Sequence, residues 1–310
     1  MDLPINPSYS AIYGELVLAL YPILIKTVPT TLLTQTLARF SVFPALAAAI
    51  GPPGEWAEAW GSPSRAAFSM AHGLLNLVHV AASYMSYQDL PAGMAVSLFY
   101  TYPIWILIGR AVFFNEALPA HAILLIGMAI VGTYLVSTAG GSAATVEGAT
   151  DKAKTADGHL AAEEKAAATS KLRRGIAAAL LAAFTETLIY FFVRGHGTKS
   201  PFFTIDHLYP GGLAILLIYS LFNQKQVDSK RSTWLPLIAF NALLGFSGYV
   251  LRFFSIPKLS TLVFSMLSFI GVMAAHGWGV LFAGESLNVQ SLVGGGLIAG
   301  AIGLLRWLGG

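Results

Sequence analysis

The stretch FFNEALPAHAILLIGMAIVGTYL (residues 113–135) has a partner late in the chain, LFAGESLNVQSLVGGGLIAGAIGLL (residues 281–305). Without gaps, at an offset of 169 residues, Glu116 aligns with Glu285, Leu118 with Leu287 and Gly127 with Gly296. Each stretch closes a series of five apolar runs. Because five is odd, the second series enters a membrane from the side opposite to the first. The pair therefore predicts an inverted repeat, which is typical of transporters with a substrate site near the bilayer midplane.

The composition indicates a membrane protein. Of the 310 residues, 55% are hydrophobic and 11% are charged, against about 25% charged in an ordinary soluble domain. Apolar segments of about 20 residues recur, and each is long enough to cross a hydrocarbon core of about 30 Å. We predict an all-α membrane protein whose ten transmembrane helices form two inverted five-helix repeats. The predicted spans are 9–27, 30–50, 66–88, 90–113, 119–138, 173–194, 203–222, 234–254, 257–282 and 288–307.

The middle of the chain separates the two halves. Residues 140–171 are rich in Ala, Gly, Thr and charged side chains, with too little apolar surface to order themselves. We predict a first five-helix repeat at 1–138, a flexible polar linker at 139–171 and a second repeat at 172–310. The chain has no cysteine, which excludes disulfides, thiolate metal sites and cysteine nucleophiles. The net charge of +3 is small, so nothing indicates a nucleic-acid surface.

Two carboxylates lie inside predicted spans. Glu15 lies in YGELVLALYPILIK (13–26) of the first span, and Glu186 lies in TETLIYFF (185–192) of the sixth span, 171 residues later. A charged group in a bilayer is costly, so it usually faces a cavity or a partner. The repeat-equivalent positions favour a pair that binds a cation, either a proton or the amine of a substrate. The alternative is structural: each carboxylate is protonated or bonded to a neighbouring span, and only holds helices together.

The third span carries a polar stripe at helical spacing, formed by His72, Asn76, His79 and Ser83. The equivalent positions of the eighth span are Asn241, Gly245, Gly248 and Arg252. At about 100° per residue, each set falls in one narrow arc. Such a stripe is expected either to line a cavity or to let helices pack closely. A metal site at His72 and His79 is the weaker hypothesis, since seven residues separate them by about 10 Å along a helix.

One arginine and a group of aromatic residues complete the candidates. Arg39 lies mid-span, whereas Arg110 and Arg252 lie near predicted span ends, where they can snorkel. Arg39 is therefore the better candidate to pair with a glutamate or with an anionic substrate. Pro103 predicts a kink in the fourth span, and aromatic residues beside a kink can form a gate. We predict a substrate-binding or coupling set of Glu15, Glu186, Arg39, His72, Asn76, His79, Tyr100, Trp105, Tyr190, Asn241 and Arg252, with Pro103 and Tyr102 as gate or hinge.

The run LFYTYPIWILIGRAVFFNEALPAHAILLIGMAIVGTYLVS resembles the EamA-type fold of the drug/metabolite transporter superfamily. MLSFIGVMAAHGWGVLFAGESLNVQSLVGGGLIAGAIGLL resembles a second copy, but it lacks the proline equivalent to Pro103. The resemblance implies two inverted five-helix bundles, a central cavity and alternating access, and many relatives carry an arginine at the position of Arg39. Half-sized relatives exchange protons for cationic drugs at a glutamate in their first helix. Glu15 resembles that glutamate because it also lies in the first helix.

These features favour a secondary transporter that moves a small polar metabolite, an amino acid or amine, by alternating access. The glutamates give it a means of proton coupling as an antiporter. The alternative is a nucleotide-sugar or sugar-phosphate carrier, in which Arg39, Arg252 and Lys258 meet the phosphate. A membrane-embedded enzyme or a receptor is more distant, because no recognised set of catalytic residues is present.

The expected partners are the metabolite, protons and the lipid bilayer, for a monomer or a homodimer. No cofactor, metal ion or nucleic acid is expected. The sequence predicts an integral multi-pass membrane protein, and it leaves open a bacterial inner membrane or a eukaryotic plasma or organelle membrane.

Overall fold

The structure is a computed structural model that describes residues 5–90, 92–114, 119–139, 158–197, 199–284 and 287–308. These ranges contain ten helical stretches that are long and apolar enough to cross a membrane. The stretches are Pro7–Thr27, Leu32–Ile50, Pro63–Asp89, Ala92–Phe113, Ala120–Thr138, Ala166–Gly195, Pro201–Phe222, Arg231–Lys258, Thr261–Phe282 and Val289–Trp307. The predicted all-α membrane protein with ten spans is confirmed. The inverted relation between its halves stays a prediction. Of the aligned pairs, Glu116, Leu118 and Glu285 lie outside the described residues.

The first half consists of α1 (Pro7–Leu18), α2 (Tyr21–Thr27), α3 (Leu32–Ile50), α4 (Glu55–Trp60), α5 (Pro63–Asp89), α6 (Ala92–Phe99), α7 (Tyr102–Phe114) and α8 (Ala120–Ala139). The second half consists of α9 (Gly158–Gly195), α10 (Pro201–Leu208), α11 (Pro210–Phe222), α12 (Arg231–Phe240), α13 (Phe246–Ser255), α14 (Thr261–Ser268), α15 (Ile270–Ala283) and α16 (Val289–Trp307). Helix α4 is too short to cross a membrane and joins the second span to the third.

Several spans are interrupted near their middle. The interruptions lie at Ala19–Leu20, Tyr100–Thr101, Tyr209 and Phe269. Prolines follow the first three interruptions, at Pro22, Pro103 and Pro210. They explain these breaks, because a proline lacks the N–H that would continue the helical hydrogen bonds and its ring clashes with the preceding turn. The ninth span is interrupted at Phe269 without a proline. The ninth span is therefore interrupted even though it has no proline equivalent to Pro103.

The eighth span changes its helical winding. A π-helical segment at Asn241–Gly245 joins α12 to α13. A π-helical turn holds more residues than an α-helical turn, so it rotates α13 relative to α12, and such segments are frequent at functional sites. The predicted stripe of Asn241, Gly245, Gly248 and Arg252 crosses this segment. Its members therefore do not share the single α-helical arc that the sequence predicted.

The sixth span begins earlier than predicted. Helix α9 starts at Gly158, so residues 158–171 of the predicted linker are helical rather than flexible. Ala, Leu, Glu and Lys dominate this stretch, and they are strong helix formers. Extending a helix also avoids the unfavourable nucleation step. Residues 140–157 lie outside the described residues.

The helices pack reciprocally between the halves. The third span packs against the sixth, the first against the eighth, and the fifth against the tenth. A Cβ atom on Gly132 of the fifth span would lie 2.6 Å from the carbonyl oxygen of Gly294 in the tenth. Glycine at both positions therefore permits this close approach. The reciprocal pairing is the arrangement expected of two related halves.

The two ends of the molecule differ. At one end, here called the Glu58 end, the Lys199 ammonium contacts Glu58 at 2.6 Å and the Trp60 indole donates to the backbone oxygen of Asp206 at 3.0 Å. The hydrogen bond from Lys199 holds the pKa of Glu58 below its ordinary value. At the other end, here called the Asp228 end, a depression of about 940 Å³ is open to the outside.

Candidate substrate and coupling site

Two carboxylates and one guanidinium meet inside the bundle. Arg252 Nη1 donates to Glu15 Oε1, and Nη2 donates to Glu186 Oε1 at 2.7 Å. The three residues are no more than 2% exposed. Glu15 comes from α1 just before the first interruption, Glu186 from α9, and Arg252 from α13 beyond the π-helical segment. One guanidinium neutralises only one of two ionised carboxylates, so this group carries one excess negative charge unless it holds a proton.

Tyrosine hydroxyls complete the hydrogen bonds of Glu15. Tyr100 donates to Oε2 at 2.9 Å, and Tyr102 donates to Oε1 at 3.4 Å. The two tyrosines flank the interruption of the fourth span, so the break in α6–α7 directs both hydroxyls towards Glu15. Arg252 Cζ lies 5.2 Å from the centre of the Tyr102 ring. Both carboxylate oxygens of Glu15 therefore have donors, as a buried charge requires.

His79 connects the third span to Glu186. Its Nε2 lies 3.2 Å from Glu186 Oε2, and its Nδ1 lies 3.1 Å from the carbonyl oxygen of Ala182 and 3.2 Å from the Thr185 hydroxyl. A carbonyl oxygen only accepts, and the Thr185 hydroxyl already donates to backbone carbonyls. The hydrogen-bond network therefore assigns a hydrogen to Nδ1. A hydrogen bond between Nε2 and Oε2 then needs one more proton, either on the imidazole or on the carboxyl group.

Arg39 lies in a cage of aromatic rings. Its Cζ lies 4.4 to 6.0 Å from the ring centres of Tyr21, Phe43, Tyr84, Tyr209 and Tyr249. Arg39 Nε and Nη2 both donate to the Tyr209 hydroxyl, at 3.3 and 3.0 Å. Arg39 is 2% exposed. Within the described part of the chain it forms no ion pair with a carboxylate, so the rings provide its electrostatic stabilisation.

One small cavity joins these groups. Its volume is about 30 Å³, which is room for a water molecule or two and not for a metabolite. Its walls include Arg39, His79, Tyr100, Glu186 and Arg252. Glu15 lies behind the wall and is connected to it through Tyr100 and Arg252. The structure therefore shows a closed central site.

The structure brings together much of the predicted site. Glu15, Glu186, His79, Tyr100 and Arg252 form one continuous network, and Arg39 lies on the wall of the same cavity. The two arginines differ from expectation in their contacts with the glutamates, and the predicted role of Arg39 towards an anionic substrate stays a prediction. Arg252, expected to snorkel, binds both glutamates, whereas Arg39, expected to be the better partner for a glutamate, contacts neither. The eighth span continues to Lys258, so Arg252 lies deeper than the predicted end at 254 implied.

Other predicted site residues lie away from the cavity. Trp105 is 45% exposed and faces outward. His72 bonds the backbone oxygen of Phe68, and Asn76 bonds that of Leu208. Asn241 donates to the backbone oxygen of Leu237 and accepts from the hydroxyl of Tyr21, which lines the cavity, so it supports the wall from behind. Tyr190 packs on the rings of Phe191 and Phe264. The upper and lower parts of the third-span stripe contact different neighbours because a seven-residue spacing covers about 10 Å.

Metal binding finds no support in the described residues. His72 and His79 bond different parts of the protein, at Phe68 and at Glu186. Across the described ranges, no group of three or more His, Cys, Asp or Glu side chains could hold a metal ion.

The tyrosines of the Arg39 cage are the main residues that the sequence analysis missed. Tyr21, Tyr84, Tyr209 and Tyr249 lie within spans rather than at their ends. Tyrosine in membrane proteins concentrates at the bilayer interface, so four tyrosines at mid-span depth were a usable signal. Their grouping around one arginine depends on four different spans, and no sequence spacing reveals it.

The second half of the chain matches a known family. Residues 173–307 match the model of the EamA-like transporter family. The second half of the chain is similar to this family. The match begins within α9 and ends with the last span, so it covers the five spans of the second half. No curated protein matches the chain by sequence.

A solved structure, titled only as the crystal structure of a protein, has the same fold. It superposes with a TM-score of 0.70 at 14% sequence identity, over 97% of this chain and 98% of its own. At that identity the likeness shows the fold alone. The ten spans make this chain a multi-pass membrane protein, and the spans of its second half are similar to those of a transporter family.

Proposed function

We propose that this protein, whose second half matches the EamA-like transporter family, is a secondary transporter that exchanges protons for a small polar metabolite bearing an amine. The observation that carries the proposal is the His79–Glu186 contact of 3.2 Å. With the hydrogen of His79 Nδ1 directed to Ala182, this contact needs an additional proton. Glu186 also lines the cavity, so the same carboxylate is available to a substrate ammonium.

Competition for Glu186 supplies the coupling. When the proton leaves, Glu15 and Glu186 carry one negative charge more than Arg252 neutralises. An uncompensated buried charge is costly, so the site favours either a returning proton or a cationic amine. Because both bind the same carboxylate, they exclude each other. A carrier that changes its open side only when one of them is bound exchanges protons for the metabolite.

The barriers on the two sides of the cavity support alternating access. Towards the Asp228 end, Tyr87 lines the cavity and Gln88 lines the open depression. Gln88 donates to Gln35 Oε1 at 2.9 Å, so a thin layer closes this side. The Glu58 end is closed by the contacts of α4 with the second half. The interruptions in the spans provide places where these helices can bend.

An anion carrier for nucleotide sugars or sugar phosphates is the alternative. Arg252 is bound to two carboxylates, and Lys258 lies next to the ring of Phe254 at the Glu58 end, 4.7 Å away. An incoming phosphate would therefore meet Arg39 alone among the three predicted cations. A doubly charged phosphate needs more positive charge than that, which favours the amine-bearing substrate.

The test is ligand-induced stabilisation of the purified protein at pH 6 and pH 8. The panel contains the twenty standard amino acids, their simple amines, a nucleotide sugar and a sugar phosphate, because a ligand that prefers the native state raises its stability. We expect amine-bearing ligands to bind more tightly at pH 8, where fewer protons compete. Glu186→Gln should remove this pH dependence, and Glu58→Gln, at the protein surface, should retain it. Unchanged binding and pH dependence in both Glu15→Gln and Glu186→Gln would refute the exchange.

A further inference from the structure

Three histidines at the Glu58 end share one local arrangement. The spacing Phe-x-x-x-His occurs in Phe68–His72, Phe192–His196 and Phe203–His207. In each case the histidine Nδ1 lies 2.8 to 2.9 Å from the backbone oxygen of its own phenylalanine, and the two rings pack with centres 4.1 to 4.7 Å apart. A carbonyl oxygen only accepts, so each Nδ1 carries a hydrogen. Nε2 is therefore the atom at which each neutral imidazole takes up a proton.

The three pairs form one group of six rings, here called the histidine cluster. The His72 ring centre lies 4.2 Å from that of Phe192, and the His196 ring centre lies 5.6 Å from that of Phe203 and 6.5 Å from that of His207. His207 is buried, whereas His72 and His196 are partly exposed. The cluster therefore joins the third span to the sixth and the seventh at this end of the molecule.

The ion pair that closes the Glu58 end lies against the histidine cluster. Lys199 contacts Glu58 at 2.6 Å and lies 5.5 Å from the ring centre of Phe203. Glu58 is also close enough to His207 for their charges to interact. A positive charge on the cluster therefore acts directly on this ion pair, because it repels Lys199 and competes with it for Glu58.

The charged side chains around the cluster are already more cationic than anionic. They lie on α4, α5, α9, α10 and the segments next to them, and they are Glu55, Glu58, Arg65, Arg194, Lys199, Asp206 and Lys258. Glu55 accepts from the Ser200 hydroxyl, and Glu58 is held by Lys199. Because four cations face three carboxylates, each proton that the cluster takes up adds to an excess of positive charge.

We propose that the histidine cluster is a proton-binding site, separate from the His79–Glu186 contact, and that its protonation opens the Glu58 end. Imidazole is the side chain whose charge ordinarily changes between pH 5 and 8. Protonated imidazoles repel one another and Lys199, and they require water that the packed rings exclude. Separation of the third span from the sixth and seventh relieves the repulsion and admits water. Acidic solution at this end therefore favours the conformation that is open to it.

This gate goes beyond the proposed exchange and does not depend on which substrate is carried. If the exchange also operates, protons open the end from which they arrive. A histidine that binds its proton ten times more tightly in the open conformation raises the ratio of open to closed protein by up to tenfold. With three histidines in the cluster, we expect this ratio to rise by at least about tenfold between pH 8 and pH 5.

The experiment measures the opening directly by double electron–electron resonance. The chain has no cysteine, so nitroxide labels can be attached only at Ser64→Cys and Gly195→Cys, on the Glu58 ends of the third and sixth spans. Both positions are exposed, and no atom lies within 4 Å of a Cβ built on Gly195. The distance distribution of the purified protein without ligand is recorded at pH 8 and pH 5. We expect a second, longer distance whose population grows at pH 5.

Variants assign this response to the cluster. The triple variant His72→Gln, His196→Gln and His207→Gln should reduce the change to less than about twofold, because glutamine does not titrate. His121→Gln is the matched control, since His121 is exposed at the start of α8; it should keep the full response. If the triple variant does not fold, His196→Gln alone, just beyond the end of its span, should lower the response by several-fold.

The outcomes separate this gate from the proposed exchange. An unchanged distance distribution in the wild type, or a shorter distance at pH 5, overturns the gate. A full response in the triple variant assigns the titration to the carboxylates of this end and also overturns it. Glu186→Gln should keep the response, and its loss there would place the titrating group at the central site, which overturns the gate and leaves the exchange standing. A full response together with ligand binding that does not depend on pH overturns the exchange alone.

Discussion

Gly271 is a position where one added methyl group tests the whole network. A Cβ atom on Gly271 would lie 1.8 Å from the Tyr100 hydroxyl oxygen, 2.2 Å from Cζ and 2.6 Å from Cε1. Ordinary contacts begin at 3.4 Å, so the entire ring must move. Tyr100 is 4% exposed and packs against Phe99 and Tyr102, with ring centres 5.3 and 5.6 Å away. The ring therefore has little room, and its 2.9 Å bond to Glu15 must break.

The expected cost of Gly271→Ala can be worked out from these contacts. Losing a hydrogen bond to a charged group costs about 1.5–3 kcal/mol, and overpacking a buried site costs about 1–3 kcal/mol. Alanine returns up to about 1 kcal/mol through its higher helix propensity. We expect a net loss of about 1.5–6 kcal/mol in the free energy of unfolding, measured by SDS titration in mixed micelles.

Two controls make the reasoning refutable. Gly277 lies on the same helix, α15, with no atom within 4 Å of a built Cβ, so Gly277→Ala should be neutral or slightly stabilising. In a Tyr100→Ala background the added methyl group no longer meets the tyrosine ring. Gly271→Ala should then lower the free energy of unfolding by less than about 1 kcal/mol. The explanation fails if Gly271→Ala is as stable as Gly277→Ala, or if its cost is the same in both backgrounds.

Three further predictions concern the arginine network, the tyrosine cage and the Glu58 end. Arg252→Gln leaves two buried carboxylates without their cation and should cost about 3–5 kcal/mol in the same unfolding assay; Arg252→Lys should cost less, and equal costs would contradict the network. Gly245→Ala places a Cβ 2.2 Å from the Tyr21 hydroxyl, so it should displace the Tyr21 ring from the Arg39 cage and reduce ligand-induced stabilisation more than Gly277→Ala does. Lys199→Gln should change stability by less than about 1 kcal/mol, because the ion pair with Glu58 is exposed. Since Lys199 lowers the pKa of Glu58, that small contribution should be complete at neutral pH and be lost only as pH falls through the lowered pKa; a loss near pH 7 in thermal scans would contradict this assignment.

The sequence indicated the two buried glutamates but not which arginine contacts them. Glu15 and Glu186 are detectable because an acid in an apolar run is rare and a second one at the equivalent position is rarer. Arg252 was judged from its distance to the predicted end of its span. The π-helical segment at Asn241–Gly245 and the extension of the span to Lys258 changed both its depth and its direction. Neither feature has a reliable signature in a single sequence.

The sequence by itself determined the number of spans, the helical class and the presence of two buried acids, because hydrophobic length and the cost of a charge in lipid act locally along the chain. Only the tertiary structure decided which cation each acid meets, that Arg39 lies among aromatic rings, and that His79 Nε2 faces Glu186 Oε2. Those facts depend on contacts between residues up to 237 positions apart. Such contacts are set by how the helices are interrupted and packed, and this is a property of the whole bundle rather than of any one stretch.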